Sequence, residues 1–176
     1  MLQEELMERL LRLDEDASLL FGTSPRCRII IVGGSALILM GRLSRATHDL
    51  DALSVPAQLM GLLERYDINT AAEAYINNFP YNYEDRLLPI SLPTKLIDYF
   101  TPCLEDMVVA KLCSNRDTDL HDIELPSVRE HINWNLLEHL ALDENEAHAS
   151  ALNDRCYEEF LFHYRNYAER WKPCEN

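Results

Sequence analysis

The spacing of apolar and polar residues predicts a strand–helix–strand core that follows an amphipathic helix. Leucines recur at helical spacing among acids and arginines over residues 2–20, which predicts that first helix. A β-branched run at 28–32 predicts a buried strand, and the apolar stretch 36–43 predicts a short buried helix. The second strand is expected over 49–55, where Pro56 ends it.

The middle of the chain alternates between helical and extended patterns. Residues 57–65 have helical spacing, and 69–78 predict another helix with Thr70 as a possible cap. Two short mixed runs at 86–91 and 95–100 are separated by a proline and predict a pair of strands.

The last third of the chain is expected to be helical. Helices are predicted over 104–113, from 119 to 126, and over 134–171 with a break at 143–145. The resulting fold class is α/β (α+β), a small mixed sheet flanked by helices with a helical C-terminal part.

Composition and charge limit the binding partners and the cellular compartment that we expect for this chain. The net charge is −14, with 30 acids against 16 bases, and such a chain disfavours nonspecific binding to nucleic acid. A local basic patch is still possible, since four arginines lie close together in sequence: Arg26, Arg28, Arg42 and Arg45. No apolar run approaches a membrane span, and the acidic N-terminal stretch argues against a targeting peptide. The five cysteines lack a C-x-x-C motif, so reduced thiols in a cytoplasm are expected.

The candidate site residues lie where the first predicted strand ends and where the second begins. Gly33, Gly34 and Ser35 follow the first strand, and their backbone N–H groups and hydroxyl could cradle phosphate. Asp49 and Asp51 are two residues apart, so on a strand both carboxylates leave the same face. Two adjacent carboxylates repel unless a cation lies between them, and hard oxygen ligands suit Mg²⁺ or Mn²⁺.

Arg45 and Thr47, which precede the acid pair, are further candidates for nucleotide binding. Thr47 shares the face of Asp49 and Asp51 on strand alternation, so its hydroxyl could contact phosphate or a metal-bound water. Arg45 could hold the triphosphate, and Arg86 could support the acid pair from a neighbouring strand. His48 points the other way and is expected to pack or to make a structural hydrogen bond.

These residues resemble a known family. Gly-Gly-Ser, then thirteen residues, then Asp-x-Asp is similar to the minimal nucleotidyltransferases of the DNA polymerase β type. The longer string 41–51 resembles the AbiEii and MenT toxin-like branch, and so does a second block, 104–123. The resemblance implies a nucleotidyltransferase-like domain over 1–125, with 126–176 as a helical extension packed on it.

The resemblance also implies roles for residues outside the first block. Lys111 would stabilise the leaving pyrophosphate, and Asp119 or Asp122 would complete the site or position the acceptor. Relatives carry a third metal carboxylate on a later strand, for which Asp98 is the candidate.

The function that the resemblance implies is metal-dependent transfer of a nucleoside monophosphate from an NTP to an acceptor. The resemblance to the AbiEii and MenT branch suggests tRNA or another RNA as the acceptor. It also suggests that the protein is the toxin of a bacterial toxin–antitoxin or phage-defence pair, with an antitoxin protein as its partner. A small-molecule or protein acceptor is also open. The alternative is a nucleotide-binding regulatory module that keeps the fold without turnover.

Overall fold

The computed structural model describes four stretches of the chain: residues 2–47, 49–114, 116–150 and 154–173. The chain divides into two compact units. We call Met1–Ala74 with Leu87–Pro102 the sheet unit, and Tyr75–Arg86 with Cys103–Asn176 the helical unit. The boundary predicted at residue 125 is a different division, because this one groups residues 103–125 with the C-terminal helices. That domain boundary stays a prediction.

The sheet unit contains a mixed sheet of five strands in the order β3-β2-β1-β5-β4. The strands are β1 Cys27–Val32, β2 Leu50–Leu53, β3 Ile68–Asn69, β4 Leu88–Pro89 and β5 Ile97–Thr101. The central strand β1 runs antiparallel to β2 and parallel to β5. β3 pairs in parallel with β2, and β4 pairs antiparallel with β5. The predicted fold class, a mixed sheet with flanking helices, is confirmed.

The register of the sheet sets which side chains share a face. Val32 pairs with Asp51, and Asp51 pairs with Asn69, so these three side chains lie in one row across β1, β2 and β3. Four residues back along β1, Arg28 pairs with Asp98 on β5. Because β side chains alternate, the Arg28 row lies on the same face as the Val32 row.

The helices of the sheet unit are α1 Gln3–Phe21, α2 Gly33–Leu39 and α3 Met60–Arg65, with a 3-10 turn at Ala57–Leu59. The apolar stripe of α1 is fully buried, and its members follow helical spacing: Leu6, Leu10, Leu13 and Ala17. The inner residues of β1, Ile29 to Ile31, are also fully buried. Burial of this stripe against the unit's core is what holds α1 in place.

Asp14 is a buried acid on α1 that attaches the helix to the start of β5. Its carboxylate accepts three backbone N–H groups, from Lys95 at 2.7 Å, Leu96 at 2.9 Å and Ile97 at 2.7 Å. Only 2% of the residue is exposed. A buried carboxylate is tolerated when hydrogen-bond donors surround it. Here the donors are the backbone N–H groups of the two residues before β5 and of its first residue.

The helical unit is built around α4. Its helices are α4 Leu104–Ser114, α5 Asp117–Glu124, α6 Pro126–Arg129, α7 Trp134–Leu142, α8 Ala147–Ser150 and α9 Asp154–Trp171. Helix α4 packs against α5, α7 and α9, and nine of its eleven residues are buried. None of the helices in the described stretches is both long enough and apolar enough to span a membrane.

Several predicted elements are confirmed, and one needs correction. The N-terminal helix forms, and the expected strand pair appears as β4 and β5, with Pro89 tolerated because β4 is an edge strand. The helix predicted over 69–78 is wrong in type. Its first residue belongs to β3, and Ala71–Asn78 is a 3-10 helix with no buried residue. Its large apolar side chains, Tyr75 and Ile76, stay exposed, so this segment lacks the packing that stabilises an α-helix.

Strand β2 is also shorter than the predicted 49–55. It ends at Leu53 because Ser54 adopts a left-handed backbone conformation, with a φ of 56°. The predicted helix 57–65 forms as a 3-10 turn that continues into α3.

We predict that Asp14→Ala lowers the free energy of unfolding by about 3 kcal/mol, because three buried backbone N–H groups lose a charged acceptor. Chemical denaturation of both proteins would measure the difference. The control is Glu15→Ala, whose side chain is exposed on the same helix, and we expect it to change stability by less than about 0.5 kcal/mol. Equal losses for the two variants would contradict this role of Asp14.

Candidate active site

The glycine turn at the end of β1 lies against the carboxylate of Asp51. Gly33 has a φ of +70°, which only glycine adopts without strain. A Cβ added there would lie 2.9 Å from the Asp51 Oδ2 atom, closer than real Cβ contacts allow. The backbone conformation favours glycine at position 33, and any side chain there would force the Asp51 carboxylate to shift.

Gly34 contacts the loop that leads into β2. A Cβ at Gly34 would lie 3.6 Å from Arg45 Nη2 and 3.8 Å from Thr47 Oγ1, at ordinary van der Waals distance. The hydroxyl of Thr47 donates to the carbonyl of Asp49 at 3.1 Å. The structure therefore brings Arg45 and Thr47 to the glycine turn, beside the two residues expected to cradle phosphate.

The acid pair lies at the start of β2. Asp49 precedes the strand and is exposed, while Asp51 lies within it and is half-buried. The Nδ2 of Asn69 donates to Asp51 Oδ1 at 2.9 Å. His48, between Thr47 and Asp49, lies outside the described residues.

The donor set at the acid pair fits a small hard cation. Carboxylate oxygens suit Mg²⁺ or Mn²⁺, and Mg²⁺ is commonly held by one or two protein carboxylates together with substrate phosphates and waters. Across the described residues there is no cluster of three or more acids, histidines or cysteines that could hold a metal alone. Asp49 and Asp51 each supply a carboxylate of this kind, which fits a metal ion held jointly with nucleotide phosphates.

Ser35 is engaged inside the protein. It is 1% exposed, and its hydroxyl donates to the carbonyl of Val32 at 2.9 Å. A phosphate contact by this hydroxyl would require it to leave Val32. The role of Ser35 in nucleotide binding stays a prediction.

Asp98, the candidate third ligand, forms an ion pair with Arg26. Arg26 Nη2 lies 2.5 Å from Asp98 Oδ1, and the hydrogen bond from Arg26 holds the pKa of Asp98 below its usual range. Asp98 shares the sheet face of Asp51, but four residues along β1 separate their rows, or about 13 Å. The structure therefore does not bring Asp98 to the acid pair, and its role as a ligand stays a prediction that this register disfavours.

In the helical unit, the structure brings together the other three predicted site residues. Lys111 is 4% exposed, and its Nζ lies 2.5 Å from Asp119 Oδ1 and 3.1 Å from Asp122 Oδ2. Asp119 Oδ2 also accepts from Ser114 Oγ at 2.6 Å and Arg116 Nε at 2.8 Å. The spacing of Asp119 and Asp122 puts both on the face of α5 that meets α4, as i, i+3 geometry predicts.

The electrostatics of this cluster favour charged side chains. Burial alone would raise the pKa of Asp119. The charge of Lys111 and the hydrogen bonds from Lys111, Ser114 and Arg116 outweigh burial and lower it. The Lys111 charge is thus compensated by two carboxylates within the helical unit. Its proposed action on a leaving group stays a prediction.

Arg86 and Asp106 form a second buried ion pair in the helical unit, which the sequence did not predict. Arg86, expected to support the acid pair, instead binds Asp106, with Nη2–Oδ1 at 2.8 Å and Nε–Oδ2 at 3.1 Å. Asp106 is fully buried and also accepts from Cys103 Sγ at 3.1 Å. Burial raises the pKa of Asp106 despite the arginine. The available signal was an acid inside the apolar run 103–112, where a surface acid is not expected.

The comparison with protein families agrees with this geometry. The family described as "Nucleotidyltransferase of unknown function (DUF6036)" matches residues 8–172. The chain belongs to this family. Membership supports a transferase that moves a nucleoside monophosphate, with an NTP as substrate. No curated protein and no solved structure matches the chain.

We predict that Gly33→Ala destabilises the protein by at least about 1 kcal/mol more than Gly41→Ala does. Both glycines have a φ of 70°, so both variants pay the same left-handed backbone cost of about 1 kcal/mol. Only at Gly33 does the new methyl group meet Asp51, which Asn69 restrains, whereas a Cβ at Gly41 meets nothing within 4 Å. Denaturation midpoints measure the difference, and equal losses would show that Asp51 moves away freely.

We predict that Asp119→Asn lowers the free energy of unfolding at pH 7 by about 3 kcal/mol, because Lys111 loses one of its buried partners. The folded-state pKa of Asp119 is lowered from its usual 3.8, so its contribution is complete above that value. It is lost as the pH falls through the lower folded-state pKa.

The difference between wild type and Asp119→Asn should therefore stay constant from pH 7 to pH 5 and shrink by pH 3. The exposed neighbour in the same helix, Asp117→Asn, is the control and should show little difference at any of these pH values. A difference that grows on acidification would give the opposite sign and contradict the lowered pKa.

Proposed function

We propose that this protein transfers a nucleoside monophosphate from an NTP to an acceptor hydroxyl, with Mg²⁺ or Mn²⁺, at the site formed by Gly33, Gly34, Asp49 and Asp51. The observation that supports it most is the contact of the Asp51 carboxylate with the Gly33 backbone. This contact places a metal-ligating oxygen beside a turn with no side chain in the way. A triphosphate and its metal need these two features side by side.

Each residue of the site has a distinct role in the proposal. The backbone of Gly33 and Gly34 would cradle the phosphates, and the Arg45 guanidinium, which lies beside Gly34, would pair with their charge. Thr47 holds the loop before the acid pair through its bond to the Asp49 carbonyl. When bound, the metal ion would neutralise charge on the α-phosphate and on the leaving oxygen. The acceptor hydroxyl loses its proton to water and its oxygen forms a bond to the α-phosphorus, while the bond to the β-phosphate oxygen breaks and pyrophosphate leaves.

The proposal also gives roles to three residues of the helical unit. Lys111 would stabilise negative charge that grows on pyrophosphate, and Asp119 or Asp122 would complete the site or position the acceptor. This requires Lys111 to exchange a carboxylate for a phosphate, which the short contacts to both acids make energetically costly.

For the acceptor, we propose tRNA or another RNA, with the protein acting as the toxin of a toxin–antitoxin or phage-defence pair. The support is the resemblance of residues 41–51 and 104–123 to the AbiEii and MenT branch. The charge of −14 restricts this part of the proposal, because a strongly acidic chain can bind RNA only through a local basic surface. Arg26, one of the four clustered arginines, is already paired with Asp98.

Two observations favour a second candidate, a nucleotide-binding module without turnover. The Ser35 hydroxyl is bonded to Val32, and the charge of Lys111 is compensated by two acids. Both groups would have to change partners in a turnover cycle, whereas binding at the glycine turn needs neither. The two candidates therefore differ in product formation and not in nucleotide affinity.

We predict that the purified protein, incubated with Mg²⁺, an α-labelled NTP and a mixture of total RNA, protein and metabolites, transfers label to tRNA. Each of the four NTPs is tested separately. Asp51→Asn should lower this transfer by about 100-fold or more, since the isosteric amide cannot neutralise a cation. The control, Asp85→Asn, changes an exposed acid and should transfer like wild type. If the label appeared instead in the protein or metabolite fraction, that class of molecule and not RNA would be the acceptor.

Binding measurements in the same preparation separate the two candidates. Metal-dependent NTP binding that Asp51→Asn weakens, with no transfer to any fraction, would establish the binding module. Transfer with unchanged rate in Asp51→Asn would reject this site. For the toxin role, expression of wild type but not of Asp51→Asn should arrest bacterial growth.

A further inference from the structure

We propose that Asn69 is a positioning residue that fixes the orientation of the Asp51 carboxylate before metal and nucleotide bind. This inference rests on the proposed function of Asp51 and extends it to a residue outside both blocks that resemble the nucleotidyltransferases. Asn69 is the last residue of β3, and the parallel pairing with β2 sets it directly level with Asp51.

The first observation is the hydrogen bond itself. Asn69 Nδ2 donates to Asp51 Oδ1 at 2.9 Å, which is an ordinary length for a bond of this kind. The two residues face each other because register pairs them, so the contact follows from the sheet and not from a chance approach of loops. The bond restrains rotation of the carboxylate about its own axis.

The second observation fixes which end of the amide faces Asp51. Asn69 Oδ1 accepts the backbone N–H of Ala71 at 2.9 Å. Only the oxygen of an amide can accept a hydrogen bond, so the NH₂ group must be the end that points to Asp51. The backbone turn after β3 therefore dictates that position 69 presents a donor to the acid.

The third observation is where this leaves the other oxygen. With Oδ1 bound to Asn69, Oδ2 is the carboxylate oxygen that faces the Gly33 backbone. The carboxylate is thus defined at both oxygens, by a donor on one side and by the glycine turn on the other. A ligand oxygen that is already oriented loses less conformational freedom when a cation binds.

The chemistry of an amide suits this task. An asparagine donates a hydrogen bond without adding charge, so position 69 orients the carboxylate of Asp51 without compensating its negative charge. A lysine or arginine at position 69 would compensate that charge, and an aspartate would repel it. Hydrogen-bonded partners of this kind commonly change metal affinity or activity by about 10- to 100-fold when they are removed.

The competing reading is that Asn69 only builds the turn after β3. Asn69→Ser separates the two readings, because a serine hydroxyl can still accept the Ala71 N–H in the same kind of turn but is too short to reach Asp51. Asn77→Ser, in the exposed 3-10 helix that follows, is the matched control.

The experiment measures binding of Mn²⁺ in the presence of a non-hydrolysable NTP analogue, together with Tm and the rate of transfer. We expect Asn69→Ser to keep its Tm within a few degrees of wild type and to weaken Mn²⁺ binding by about 10-fold. Asn77→Ser should match wild type in both. Wild-type Mn²⁺ affinity in Asn69→Ser would overturn the proposal.

A double-mutant cycle tests the contact without any ligand or activity. The Tm loss caused by Asn69→Ala should be smaller in the Asp51→Ala background than in wild type, because the hydrogen bond is then already absent. Equal losses in both backgrounds would also overturn the proposal. If wild type binds Mn²⁺ but transfers nothing, turnover fails while the role of Asn69 holds. If wild type does not bind Mn²⁺ at all, both fall together.

Discussion

The geometry of the candidate site depends on one contact, that of the Asp51 carboxylate with the backbone of Gly33. The contact exists because the antiparallel register pairs Val32 with Asp51, so the residue after Val32 must pass directly beside the acid. A slip of one residue would turn Asp51 to the opposite face of the sheet. The closeness of Gly33 to the acid follows from this register, and the donor at Asn69 follows from the parallel pairing of β2 with β3.

An acidic chain must also satisfy the acids that folding buries, and four buried acids of the described residues show three ways of doing so. Asp14 is satisfied by backbone N–H groups alone, Asp119 and Asp122 share Lys111, and Asp106 binds Arg86. The first arrangement needs no cation, which suits a chain with few lysines. The other two place positive charges in the interior of the helical unit. Those charges are therefore structural whether or not they also take part in catalysis.

Much of the fold could be predicted from sequence because its signals are local. The apolar stripe of α1, the β-branched run of β1 and the glycine pair at 33–34 each identify their element without knowledge of the rest. The partners of polar side chains could not be predicted, since they depend on register and packing. Spacing correctly put Asp119 and Asp122 on one helix face, but it could not reveal that both are buried against Lys111. Asp98 shares the face of Asp51, as alternation allows, yet pairing with β5 sets it four residues away.

The buried lysine shows why activity alone cannot establish a catalytic role here. Removing Lys111 takes away the cation that Asp119 and Asp122 share, although Asp119 keeps Arg116, and loss of one partner from a buried ion pair costs about 3–5 kcal/mol. Lost transfer in Lys111→Ala could therefore reflect a damaged helical unit. A charge-conserving Lys111→Arg exchange keeps the compensation of Asp119 and Asp122 but changes the shape of the donor. If Lys111→Arg folds like wild type and still loses transfer, the reaction needs the ammonium of Lys111 itself. Normal transfer would show that any cation at this position suffices, because arginine also binds phosphate.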